Sequence, residues 1–108
     1  MGAITLKNLA DGALTGSVVT LYTVPTGTKT KITSVSFCND TGAVVILLVQ
    51  LKARTGGTIR TVVQTRAVAD KETYLAPEIV GQHLEAGGEI LASGSGIDFV
   101  ISGVEVVE

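Results

Sequence analysis

The sequence has one histidine, His83, and one cysteine, Cys38, so any chemistry that needs either residue type must use that copy. A serine hydrolase would require a serine beside His83 and a carboxylate behind it. Ser93, Ser95 and Ser102 are present, but Leu91, Ser93 and Val100 stand two residues before them, so none sits in G-x-S-x-G. A Cys38–His83 pair is the remaining nucleophile–base set. Cys38 follows Phe37 in an apolar stretch and reads as a small buried hydrophobe. One Cys and one His make a zinc site only with two added carboxylates, and no ligand-spaced cluster is present. Asp98 and Glu105 with loop carbonyls would be the material for a calcium site, but solvated turn carboxylates explain them better. Thr26-Gly27-Thr28-Lys29 lacks the G-K-[ST] ending of a phosphate loop, and SGSGIDF lacks the third glycine of a dinucleotide fingerprint. The residues therefore predict no catalytic site, no metal and no cofactor: not an enzyme.

The elements that would position any site are strands. The chain has 108 residues, fifteen Val, fourteen Thr, 13 Gly, 2 Pro and no Trp. β-branched residues suit pleated, half-buried surfaces, and glycine serves the turns between them. This length fits one domain, 1–108, that buries roughly 65% of its unfolded surface without staples. Turn signals recur at Pro25–Thr28, Asn39–Gly42, Gly56-Gly57, Ala69–Lys71, Pro77, Gly81, Gly87-Gly88 and 93–96. Between them the spacing predicts strands at 3–8, 17–24, 29–38, 43–54, 58–67, 72–76, 78–84, 89–93 and 97–107. EIVGQHLEAGGEI holds three glycines and no sustained helical period. The expected fold is all-β: a single-domain antiparallel β-sandwich, jelly-roll-like, of about eight strands. Gly56-Gly57 fits a two-residue hairpin turn, with a register that pairs Thr55 with Thr58, Leu51 with Val62 and Val49 with Gln64. VEVVE, at the end, is where fraying is expected.

Net charge is −2 and the pI about 5.3, which disfavours broad binding to nucleic acid. Lys29 and Lys31 share a strand face, as do Lys52 and Arg54, with Arg60 and Arg66 across the turn. Stacking aromatics to accompany them are few: Tyr22, Phe37, Tyr74 and Phe99, with the two Phe read as core. These cations are expected to face solvent or meet an acidic partner surface. The sequon Asn39-Asp40-Thr41 matters only in a glycosylating secretory route, and no secretory signal is read at the N-terminus. The longest aliphatic run, Val44–Val49, is six residues against the ~20 needed to span a membrane. A single Cys excludes an intrachain disulfide and fits assembly in cytoplasm.

GAVVILLVQLKAR, residues 42–54, is apolar on both strand faces. Val45, Leu47, Val49 and Leu51 make one row; Val44, Ile46 and Leu48 make the other. A two-layer sandwich buries one face of each strand. Fully burying the second row is worth roughly 5–9 kcal/mol per subunit. Another subunit would cover it; a loop, the N-terminal segment or a bulge within the monomer is the alternative. The subunit-interface candidates are therefore Val44, Ile46 and Leu48, with the choice of inward row left open. Ile32 against Val35 and Phe37, and Phe99-Val100-Ile101, show the same conflict of phase.

The order of pieces resembles small β-rich structural proteins of tailed bacteriophages. The resemblance covers about residues 14–107. It rests on Tyr22–Gly27, a following strand that ends at Asn39, Leu84–Ile90, and the closing SGVE of Ser102–Glu105. Gly88-Glu89 departs from an expected Gly-Asp and keeps the carboxylate. The resemblance implies a non-enzymatic virion protein, with capsid decoration (cement) favoured: a homotrimer that binds the phage major capsid protein on the outer surface of the head. Neither nucleic acid nor membrane would be a partner. Gly2, Ala3, Ile4 and Leu6 are the capsid-contact candidates, since a terminal segment can lie as a strand on a neighbour. A tail- or fibre-associated receptor-binding module, or a carbohydrate-binding sandwich, are the alternatives. The missing Trp disfavours sugar stacking.

Overall fold

A computed structural model describes residues 4–107. Over that range the chain is all-β, with nine strands in two antiparallel sheets. The first sheet runs β1 (Ile4–Ala13), β9 (Asp98–Val107), β3 (Thr28–Cys38), with two short pieces, β6 (Thr73–Tyr74) and β7 (His83–Leu84), both on β3's far edge. The second runs β2 (Val19–Thr23), β8 (Glu89–Ser93), β4 (Val45–Lys52), β5 (Ile59–Val68). If β6 and β7 are taken as one interrupted strand, this is the strand order of an eight-stranded jelly roll.

Phe37, Ile32, Ile101, Leu47, Val49 and Ile90 fill the space between the sheets and are fully buried. The phase conflicts resolve in two ways. In β3 the register shifts between Ile32 and Ser34, so a bulge at Thr33 lets Ile32, Val35 and Phe37 all point inward. In β9 and β4 no bulge helps: Phe99 and Ile101 go in while Val100 stays exposed, and Leu47, Val49 and Leu51 go in while Ile46 stays out. Gly103 sits where both neighbours of β9 bulge, β1 at Leu9 and β3 at Thr33. A Cβ there would meet the Lys31 carbonyl at 2.4 Å and Leu9 Cδ1 at 2.8 Å, so Leu9 uses the room a side chain would take.

Several expectations need correction. β1 does not stop at residue 8 but continues to Ala13, through a bulge at Leu9 and Gly12 at φ 146°. Residues 78–84 are mostly turn. Two successive turns, closed by Ile79 N–H to Ala76 O (3.1 Å) and Gln82 N–H to Ile79 O (3.2 Å), tuck Ile79 into the core and leave only His83–Leu84 extended. In the β4–β5 hairpin, Leu47 pairs with Arg66 and Val45 with Val68, on the expected register. Two shifts then move Val49 to Val63 and Leu51 to Arg60, in place of Gln64 and Val62. The turn is closed by Gly57 N–H to Arg54 O at 2.9 Å and centred on Thr55 and Gly56, with Gly56 at φ 75°. Cys38 is half-buried on the outer face of the first sheet, where Asp98 and Thr73 are its cross-strand neighbours. β9 stays paired with β1 or β3 as far as Val107.

Candidate functional site

The strands separate the residues that chemistry would need together. Cys38 lies at one end of β3, and His83 is paired with Lys31 near the other. Seven residues of strand put them ~23 Å apart, so no Cys–His dyad forms. Asp98 and Glu105 are seven residues apart on β9 and cannot share a cation for the same reason. Among the described residues no group of three or more His, Cys, Asp and Glu could hold a metal ion, and no helix is long and apolar enough to cross a membrane.

What the fold does build is surface. Row Val45–Leu47–Val49–Leu51 faces the core, with Leu47 and Val49 fully buried. The other row points outward from the second sheet: Val44 is 62% exposed, Ile46 51%, and Leu48 half-buried. The register adds two neighbours on that face. Ala67 is opposite Ile46, and Leu91 lies between Thr20 and Gln50. Leu91 is missed by spacing alone, because Ile90-Leu91-Ala92 is apolar throughout and all three are buried. The outer face is apolar toward the Val44 end and polar toward the other. There Gln50 donates to Thr61 Oγ1 at 3.3 Å, Thr20 to Glu89 at 3.2 Å, and Lys52 pairs with Glu89 at 3.7 Å.

Ile4 and Leu6 form a second apolar patch, on the outer face of the first sheet. They are 73% and 82% exposed, and their cross-strand partners Val106 and Val104 are half-buried on the same face. Gly2 and Ala3 lie outside the described residues. The expectation that this segment lies as a strand on a neighbour changes in one respect: Ile4–Asn8 already pairs with β9 of its own chain. What remains for a partner is the outward side chains and the free edge of β1.

At the same end the two sheets are pinned by a buried polar group. Tyr22 donates its hydroxyl to Glu105 and lies 2.9 Å from Thr30 Oγ1, while Lys7 reaches Glu105 at 3.3 Å. Burial first, and the Glu105 carboxylate second, push the Tyr22 phenol up to about 12. At the opposite end Asn39 is completely buried, so its sequon presents no acceptor in the folded chain.

The basic residues read as two stripes are held differently. Lys29 and Lys31 share the outer face of the first sheet with Val104 and Val106. Arg54 pairs with Glu85 at 3.0 Å, which holds that carboxyl below its usual range. Arg66 lies at the far end, 4.1 Å over the Tyr74 ring. Tyr74 itself, pushed up to about 12 by burial and by Glu78, donates to Glu78. Compared with family models, with curated proteins and with solved structures, the chain matches none of them.

Proposed function

We propose that this chain is a non-enzymatic structural protein of a tailed-phage virion: a capsid decoration protein that assembles as a homotrimer on the outer surface of the head. The observation that carries the reading is the outward apolar row of β4. A 108-residue sandwich has its core row in Val45–Leu51 and still presents Val44, Ile46 and Leu48 to solvent. Half of the first two side chains is already covered, so burying the rest is worth roughly 2–3 kcal/mol per subunit, less than full exposure would give. The row is thus the centre of an interface. The remainder of the roughly 800 Å² per partner that stable interfaces use comes from its polar surround.

The work such a protein performs is linkage. By binding the assembled shell and not its dissociated subunits, it lowers the free energy of the shell by its own binding free energy. A trimer adds avidity, because each further contact with the major capsid protein is intramolecular.

The test uses two lysines on adjacent residues. Ile46→Lys places an ammonium in the proposed interface, where desolvation without a partner is prohibitive. The variant should fold, sediment as a monomer, and coat purified heads at least tenfold less tightly. Leu47→Lys, on the core row, should not fold. A folded Ile46→Lys variant that remains trimeric and coats heads would remove the reading, as would copies of the chain found on the tail by cryo-EM of whole virions.

A further inference from the structure

Charge is sorted along the long axis of this molecule, which measures 48 Å. Six of the eight Lys and Arg (Lys7, Lys29, Lys31, Lys52, Arg54, Arg60) lie toward the end carrying the β4–β5 turn. Asp11, Asp40, Asp70, Glu72, Glu78 and Asp98 lie toward the other, while Glu85, Glu89 and Glu105 stand among the cations, so the basic end holds six cations against three described carboxylates. At the basic end the open flank between β5 and β7 forms a cleft of about 490 Å³. Arg54, Arg60 and His83 line it, with Leu51, Val62 and Leu84 as apolar lining, and no described acidic residue lines it. Glu85 takes one nitrogen of Arg54, while Arg60 has no hydrogen bond or ion pair among the described residues.

We propose that this cleft binds an extended acidic segment of a partner polypeptide. Three features select that occupant. A guanidinium recognises a carboxylate through paired, planar hydrogen bonds, and Arg60 is available for one. The apolar lining accepts a neighbouring aliphatic side chain. β5 is an edge strand, and Ile59–Thr61 precedes its first bulge, so a short extended chain can hydrogen-bond to it. Beyond that point the bulges around Val62 and Thr65 (φ 46°) twist the edge away and limit the length that can be added. A nucleic acid is a poorer fit, because no Phe, Tyr or Trp lines the cleft for stacking. This proposal does not depend on a place in a virion.

The experiment titrates the isotope-labelled full chain with a blocked heptapeptide of alternating valine and glutamate, followed by NMR. Backbone signals of Gly56, Gly57, Arg60 and His83 should shift together. Arg60→Glu should raise the Kd at least tenfold, and Arg66→Glu, at the acidic end, should leave it unchanged. A valine–lysine peptide that binds equally well, inorganic phosphate that displaces the acidic peptide at equimolar concentration, or an unchanged Kd in Arg60→Glu would each overturn the proposal.

Discussion

At the scale of single residues, the side chains with the most specific surroundings are polar and buried. The Asn39 amide donates to the carbonyls of Ala43 (2.7 Å) and Val68 (2.8 Å), and its oxygen accepts from the Thr41 hydroxyl (2.7 Å) and N–H (3.1 Å). One side chain thereby fastens the β3–β4 loop to the end of β5. Asn39→Ala strands these groups and should cost roughly 1–3 kcal/mol in urea unfolding. Asn39→Asp should cost more, since a carboxylate oxygen would face a carbonyl that now has a donor; equal stability of the two variants would contradict this account. Tyr22 yields a pH prediction. Its folded-state pKa, about 12, lies above the ordinary phenol value near 10. The folded chain therefore holds the phenolic proton more tightly than the unfolded chain. That contribution is intact below about 10 and disappears as pH rises toward about 12. Denaturation midpoints measured across this window should fall, and should fall less in Tyr22→Phe. The sequence showed that Asn39 ended a strand, but not that it was buried, because nothing in its neighbours announces a closed loop around it.

At the scale of elements, the strands were legible because apolar runs and turn residues alternate so regularly; Glu89–Ser93 matches its expected limits residue for residue. What period-2 reasoning missed is where that period is broken. The bulge at Thr33 showed only as the phase conflict of Ile32 with Val35 and Phe37, and those at Leu9 and in the β4–β5 pair leave no local sign, since an extra residue in one strand is defined only by its partner. The same bulges explain why the hairpin register is right at Val45–Leu47 and wrong at Leu51. The candidate interface row was legible as a row, but its direction came only from the sandwich. One turn docks on another: Glu85 N–H donates to Ala53 O (2.8 Å) and Thr55 N–H to Ala86 O (3.1 Å). Gly87 sits under this contact at φ 79°, and a Cβ there would lie 1.6 Å from Thr55 Oγ1 and 2.9 Å from Thr55 N. Gly27, at φ 76°, has nothing within 4 Å of its Cβ position. Gly27→Ala should cost only the left-handed backbone penalty of about 1–2 kcal/mol. Gly87→Ala should cost clearly more and release the hairpin turn, seen as faster amide exchange at Thr55. Equal losses in the two variants would mean that the turns are not coupled.

At the scale of the whole molecule, the sequence states a net charge of −2 and says nothing of its arrangement, because the cations come from β1, β3, β4, β5 and the turns between them and meet only in the fold. The long axis of 48 Å is several Debye lengths of about 8 Å at physiological salt and still exceeds the roughly 30 Å at 0.01 M, so a resin senses the nearer end most strongly. An acidic chain of pI about 5.3 should bind an anion exchanger at neutral pH and pass through a cation exchanger. This one should be retained at low salt by both, gripping each resin by a different end. Arg54→Glu with Arg60→Glu should abolish retention on the cation exchanger alone. Passage of the native chain straight through that column would show that the sorted charges do not act as a handle.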